Sequence, residues 1–300
     1  MGRNVILPRT VCLDSLVEVC SVIRRAEVRS ILSATAGFIA EAGFTHSLTP
    51  ARNCTYGCTY CYVPTLGIYG GLKLEDVRRW GQFTTFKSNG AALLRQELRP
   101  WQRIYCSPLV DPYQPAEAEE RHMPAILDAL LDAPPRVFVL QTRGPAILRD
   151  LDRLKALATR ATVRVSFSIT TDREDVRRLY EPHCATFQER LETVRALRQA
   201  GIETYATLAP LLPCDPEALT RAALEASGRD LIGDPLHVRS VKRKGATTRE
   251  AAFRVSELNG HQAYLNPGFQ AVLVERIERV ARAAGRSFTT GPRGFARLAI

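Results

Sequence analysis

Asn53-Cys54-Thr55-Tyr56-Gly57-Cys58-Thr59-Tyr60-Cys61-Tyr62 places three thiols at spacings of four and three residues. In a loop, that spacing brings all three sulfurs round one centre, and thiolates are the ligands that iron–sulfur clusters and zinc prefer. A structural zinc site wants a fourth ligand. The nearest candidate is His46, eight residues upstream of Cys54, and no second cysteine pair follows. A four-iron cubane can instead take three cysteines and leave one iron open, as catalytic metal sites keep an exchangeable position. The open-iron cluster is the preferred reading; zinc and a chance grouping of structural cysteines are the alternatives. The other cysteines, Cys12, Cys20, Cys106, Cys184 and Cys214, are scattered, and each reads as a reduced, small, buried apolar residue.

Outward from this loop, the chain alternates. Phe44–Leu48 reads as a strand leading into the cysteines, and Ile104–Ser107, Val137–Thr142, Val163–Ile169, Glu203–Leu208 and Leu236–Val241 read as buried strands, short and rich in β-branched or aromatic residues. Helical periodicity lies between them at Ala118–Leu131, Pro145–Ala158, Phe187–Ala200 and Pro216–Ala226, with Gly201 just past one helix end. Strand and helix in alternation make a parallel sheet with right-handed crossovers. Pattern alone leaves an open sheet and an incomplete barrel equally possible. Residues from about Asp14 to Ala42 suggest helix, and Val255–Gly268 is a turn-rich connection to a last helix from about Phe269 to Ala284. The expected division is therefore an N-terminal helical extension over 1–43, a core over 44–240, and a basic C-terminal segment over 241–300 whose final helix packs on the core.

The 300 residues are 45% hydrophobic and 24% charged, an ordinary globular composition that excludes disorder. Apolar runs are broken well short of the ~20 residues of a membrane span, and no signal-peptide pattern opens the chain, so a soluble, cytoplasmic protein without membrane contact is expected. The net charge is +10, and from His237 to Ile300 twelve basic residues face four acidic ones. Spaced arginines of the 270s and 280s read as a solvated helix face. The dense run Arg239-Ser240-Val241-Lys242-Arg243-Lys244 repels itself unless an anion lies near.

The cysteine motif with an aromatic residue before its third thiol resembles that of the radical S-adenosylmethionine (radical SAM) superfamily. The resemblance extends through Cys54–Pro64, Ser107-Pro108-Leu109-Val110-Asp111-Pro112-Tyr113-Gln114-Pro115, Leu140–Asp150 and Val165–Thr171, and then through Glu181-Pro182, Gln188–Leu191 and Ala209–Pro213. These stretches are similar to successive motifs of the branch that contains spore photoproduct lyase and its relatives, often labelled DNA repair photolyase. The match covers about residues 44–240. It implies an α/β fold, the partial (β/α)6 TIM-type barrel of the radical SAM core. It also implies a 4Fe-4S cluster whose open iron is chelated by S-adenosylmethionine, reductive cleavage of which gives a 5′-deoxyadenosyl radical.

By the same resemblance Cys54, Cys58 and Cys61 are the iron ligands and Tyr60 an adenine contact. Asp111 accepts from the cofactor's amino group, or alternatively caps a turn before Pro112. Arg143 takes the place of a family lysine that binds the cofactor carboxylate, which a guanidinium can grip bidentately. Ser107 joins the cofactor contacts. One of Ser166 and Ser168 faces the barrel interior and the ribose hydroxyls, with Ser168 preferred. Ala209-Pro210 forms a backbone wall for adenine or ends a strand. The lyase uses a cysteine thiol near the Ile104–Ser107 strand as hydrogen donor, which makes Cys106 the candidate catalytic residue; a buried strand cysteine is the alternative. Tyr113, Gln114, Lys242, Arg243 and Lys244 are candidate substrate contacts.

The substrate is the less legible half. An anionic, nucleotide- or sugar-like small molecule is the leading expectation, with phosphate held by the basic run. The alternatives are the same radical chemistry on DNA, RNA or protein, and a non-catalytic iron–sulfur protein. Partners would be a phosphorylated small substrate or nucleic acid, and an external one-electron reductant such as flavodoxin or ferredoxin.

Overall fold

A computed structural model describes residues 9–11, 21–66, 74–238 and 248–300. Among them twelve strands run in chain order: β1 (Arg9–Val11), β2 (Ser21–Ala26), β3 (Leu32–Ala34), β4 (His46–Leu48), β5 (Ala51–Arg52), β6 (Phe83–Lys87), β7 (Arg103–Cys106), β8 (Val137–Thr142), β9 (Thr162–Ser168), β10 (Glu203–Leu208), β11 (Leu231–Gly233) and β12 (Phe288–Thr290). The larger sheet has the order β12-β11-β10-β9-β8-β7-β4-β3. Every neighbouring pair from β4 to β12 is parallel, and β3 closes one edge antiparallel to β4. Five of the six expected parallel strands are present, as β4, β7, β8, β9 and β10, and β11 and β12 extend the parallel run to seven.

Period-two alternation sends each strand's residues to two different cores. Ile104, Cys106, Phe138, Leu140, Val163, Val165, Phe167, Ala206 and Leu208 pack outward against helix residues such as Leu94, Ile126, Leu127, Leu154, Val194, Leu219 and Leu224. Tyr105, Val137, Val139, Tyr205 and Ile232 point to the other face, where Phe44, Phe295, Leu298 and Ala299 meet them. The barrel interior is thus plugged at one end by the C-terminal turns. Arg164 on the inner face bonds the Leu298 carbonyl at 3.1 Å and pairs with Glu203 at 2.9 Å.

Three expectations are corrected here. The N-terminal stretch is not one helix: β2 and β3 occupy it, followed only by a five-residue helix, Gly37–Glu41. Val22 and Ile23 are β-branched, and β2 finds a parallel partner in β6, some sixty residues later in the chain. The helix expected over Ala118–Leu131 breaks at Arg121, whose φ is 51°. Glu117 drives the break, because its carboxylate accepts the backbone N–H groups of His122 at 3.0 Å and Met123 at 2.8 Å and so caps the second helix, His122–Asp132. The strand expected at Leu236–Val241 is instead β11; residues 236–238 are irregular and 239–241 lie outside the described residues. Sheet pairing also links distant parts of the chain, β2 with β6 and β12 with β11. The last helix, Pro267–Ala283, does send Leu273, Ile277 and Ala281 into the core.

Candidate functional site

The cysteine loop follows β5 and begins with Asn53 in the left-handed region, φ 64°, a conformation that asparagine tolerates better than most residues. The loop crosses a second turn where Gly57 (φ 63°) and Gly81 (φ 96°) face each other; a Cβ on Gly81 would stand 2.8 Å from the Gly57 Cα, so neither position admits a side chain. The segment after β7 braces the loop. Gln114 Oε1 accepts the Thr55 N–H at 2.8 Å, the Ala116 N–H donates to Thr55 Oγ1 at 3.1 Å, and the Tyr56 hydroxyl donates to the Tyr113 carbonyl at 2.9 Å. Cys54 and Cys58 are buried and Cys61 half-buried, all three as free thiols.

The three sulfurs sit in unequal electrostatic surroundings. Burial, then the Asp111 and Cys58 charges, push the Cys54 thiol well up; burial and Cys58 push Cys61 up to about 12. Cys58 goes the other way. A hydrogen bond from Cys184 and the Arg143 charge favour its thiolate over the opposing effect of burial. The Cys58 and Cys184 sulfurs are 3.8 Å apart, and Arg143 Nη1 lies 3.6 Å from Cys58 Sγ.

Behind Cys58 stands a largely buried polar lattice. Glu181 takes Arg143 Nη1 on one oxygen at 2.5 Å, together with the Tyr60 hydroxyl, and Arg190 Nη2 on the other. Burial would raise the Glu181 carboxyl, but Arg190 and Arg143 and the hydrogen bonds outweigh it and hold it at about 2. Glu181 is 0% exposed and Arg190 2% exposed. A buried carboxylate between two guanidiniums keeps all three charged, since each compensates the desolvation of the others.

The sequence-derived site residues fall into two groups. Ser107 and Asp111, Arg143, and Ala209-Pro210 follow the ends of the parallel strands β7, β8 and β10, and Ser166 and Ser168 lie at the end of β9. Ser166 and Ser168 are two apart and so share one face rather than alternate. Ser166 Oγ is committed to Thr207 Oγ1 at 2.7 Å, whereas Ser168 Oγ and Ser107 Oγ are buried with no partner among the described residues. Two orphaned hydroxyls at one rim, beside three thiols in one loop, suit a polar ligand with a metal cluster.

The second group is held by contacts within the chain. Asp111 accepts from the Thr142 hydroxyl at 2.6 Å, the Tyr113 N–H at 2.9 Å and the Arg143 N–H at 2.9 Å, with the Arg143 side chain 3.9 Å away; it caps a turn and anchors Arg143. The Tyr60 hydroxyl likewise belongs to the Glu181 lattice, leaving its ring as the available contact surface. Tyr113 donates to Asp150 at 3.1 Å, and Gln114 is spent on the cysteine loop. Both are 1% exposed. Cys106 is 0% exposed, lies in the helix-side core, and has its thiol pushed up by burial, the setting that the packing alternative expects. His46 pairs with Thr45 at 2.9 Å and stacks edgewise on Trp101, apart from the thiols. Lys242, Arg243 and Lys244 lie outside the described residues.

Sequence reading missed Cys184 and the role of Glu181 and Arg190. The signal lay in the Glu181-Pro182-His183-Cys184 run and Arg190 nine residues after Glu181, a spacing with no local periodicity to mark it.

Among the described residues no helix is long and apolar enough to cross a membrane. An uncharacterized protein of Mycobacterium tuberculosis is 29% identical over 252 residues, covering 78% of this chain and 73% of the relative. An uncharacterized protein of Methanocaldococcus jannaschii is 26% identical over 160 residues, 53% of this chain and 58% of its own. Among solved structures, a point mutant of spore photoproduct lyase superposes with a TM-score of 0.54 at 17% identity, over 74% of this chain and 64% of the lyase. A mutant of that lyase with bound AdoMet and dinucleoside spore photoproduct gives 0.53 at 16%, over 78% and 65%. The chain therefore spans just under two thirds of the lyase's length, and at that identity the likeness shows the shared barrel fold. The Radical SAM superfamily matches residues 48–219, more than half of the chain: this is a radical SAM enzyme, of a superfamily that works with a 4Fe-4S cluster and S-adenosylmethionine.

Proposed function

We propose that Cys54, Cys58 and Cys61 hold three irons of the cluster, that S-adenosylmethionine binds at the rim lined by Ser107, Ser168 and Arg143, and that the substrate is an anionic, phosphorylated small molecule. The observation that carries the first part is the braced loop of three thiols at the rim where two buried hydroxyls have no partner among the described residues. When bound, the reduced cluster supplies the electron that cleaves the cofactor to methionine and a 5′-deoxyadenosyl radical. The chain's own residues do the rest. Gln114, Thr55 and Tyr56 fix the loop, the Glu181 lattice holds Arg143 against Cys58, and the inner strand faces exclude bulk water. An external reductant is required, and flavodoxin or ferredoxin fits that need; reduced thiols suit a cytoplasmic setting.

Ser168 gives a clean test of the rim. A buried hydroxyl without a partner costs about 1–3 kcal/mol, so Ser168→Ala is expected to leave the cofactor-free chain as stable or more so. Its affinity for S-adenosylmethionine should fall about tenfold, which is ~1.4 kcal/mol. Equal affinity by calorimetric titration would remove Ser168 from the site.

Support for an anionic substrate comes from a cleft of about 440 Å³ between the ends of β2 and β6 and strand β5. It is lined by Arg29, Arg52 and Lys87 against a single acid, Glu27. Burial and then Arg52 lower the Lys87 amine to about 8, with Glu97 opposing. Arg52 immediately precedes Asn53, so an anion held there lies at the root of the cysteine loop. The test is 5′-deoxyadenosine formation by the reconstituted enzyme with reductant, screened against phosphorylated metabolites and against oligonucleotides at several salt concentrations. Stimulation by a small phosphate ester, with a shallow salt response and loss of most of the stimulation in Arg52→Gln/Lys87→Gln, is the expected result. Stimulation by oligonucleotides alone, falling steeply with salt as released counterions require, would replace it with the polymer reading.

A further inference from the structure

Cys184 is absent from the three-cysteine motif, and 126 positions separate it from Cys58, yet its sulfur stands 3.8 Å from the Cys58 sulfur in a buried setting. The two thiols and a Glu181 carboxylate oxygen all lie within 4.8 Å of one another. Glu181 is an unpromising metal ligand, because both of its oxygens are occupied by guanidiniums. That occupancy leaves a different role for the cysteine.

A thiol pair permits either sulfur to donate. Once Cys58 binds iron it is a thiolate, with no proton and only lone pairs, so the 3.8 Å contact has one possible direction: Cys184 S–H to Cys58 S. Arg143 Nη1 approaches the same sulfur at 3.6 Å and can only donate. Cys58 therefore sits under two donors, one charged and one neutral. Such donors stabilise negative charge on a ligating sulfur, and the reduced cluster carries one more negative charge than the oxidised one. Hydrogen bonds to the sulfurs are among the factors that set cluster potentials.

We propose that Cys184 is a positioning residue of the cluster, donating a hydrogen bond to the Cys58 thiolate and raising the cluster's reduction potential so that a weaker reductant can charge it. The placement is built into the fold. Cys184 follows the helix Glu174–Tyr180, its N–H donates to the Glu181 carbonyl at 3.0 Å, and its carbonyl accepts Arg177 Nη1 at 2.8 Å. Thr59 of the cysteine loop is tied to the end of that helix by its N–H on the Tyr180 carbonyl at 2.9 Å. One short segment thus carries both Glu181, which holds Arg143, and Cys184, so the two donors to Cys58 are set by the same turn. The inference rests on Cys58 being an iron ligand.

The experiment compares wild type, Cys184→Ala and Cys184→Ser after anaerobic reconstitution, by iron content and by redox titration of the cluster's paramagnetic signal. Equal iron in all three is expected, with the reduced-to-oxidised ratio at a fixed poise about three- to tenfold lower in Cys184→Ala; a full tenfold is about 59 mV for a one-electron couple. Cys184→Ser keeps an O–H donor and should return toward wild type. Identical potentials for wild type and Cys184→Ala overturn the proposal, as does a serine variant that tracks alanine. If Cys184→Ala holds no iron, the serine variant decides: wild-type iron and potential support the donated bond, and loss of iron there too overturns it. Should Cys58→Ala retain full iron, the reading of Cys58 as ligand fails, an outcome separate from any of these.

Discussion

Cys54→Ala, Cys58→Ala and Cys61→Ala are each expected to lose the cluster, and with it all detectable 5′-deoxyadenosine formation. A four-iron cluster with one open iron draws three ligands from the protein, and the described residues offer no replacement in reach of all positions. Cys184 is close to Cys58 but carries its thiol on another segment, and His46 is held by Thr45 beside Trp101. Two remaining thiolates leave a second iron exposed, and a cluster so held is lost to solvent and oxidant. Cys106→Ala and Cys214→Ala are the controls, since both residues are in the outward core among aliphatic side chains. They should keep full iron and acid-labile sulfide, with a modest loss of stability from the small volume removed. Iron and sulfide content after anaerobic reconstitution measures all five variants. Full iron in any one of the three loop variants, or a stoichiometric zinc ion in the anaerobic wild type, would sink the three-ligand reading.

What the sequence made legible follows from the range over which each signal acts. β7, β8, β9 and β10 are short apolar runs flanked by helix starts and stops, so neighbours in sequence carry their pattern, and the expected and observed limits agree to within a residue at each end. The cysteine loop is equally local, with three ligands inside eight positions. The β2 stretch defeated periodicity because Val22-Ile23 ahead of two arginines fits a helix face as readily as a strand, and its partner β6 cannot be seen from within it. The break at Arg121 was hidden for a related reason: Glu117 looks like an ordinary first-turn acid until its carboxylate is seen capping the next helix and paired with Arg149 at 2.8 Å. Tyr113 and Gln114 were legible as important but not as to what for. Only the fold shows that their polar atoms turn back on Asp150 and Thr55, away from any open space.

Glu181 is expected to be the most stability-sensitive side chain of the site. Its carboxylate lies between Arg143 and Arg190, which are 14% and 2% exposed at the side chain. Glu181→Leu leaves two guanidiniums facing each other in a dry interior, with Asp111 at 3.9 Å the only acid left beside Arg143 among the described residues. Removing one partner of a buried ion pair costs roughly 3–5 kcal/mol, which for a chain of this size is on the order of 10 °C in Tm. Glu181→Gln should cost less than Glu181→Leu, because the amide oxygen still accepts from one guanidinium, although its NH2 then faces the other and the charge is lost. The double change Glu181→Leu/Arg190→Leu separates charge from packing. If uncompensated charge is the main cost, the double variant is more stable than Glu181→Leu alone, since a buried pair replaced by apolar residues of similar volume is often close to neutral. Thermal unfolding of the cluster-free chain gives the comparison directly. A loss under about 1 kcal/mol in Glu181→Leu, or strictly additive effects in the double variant, would show that water reaches the lattice and that Arg143 is not held against Cys58 by this carboxylate.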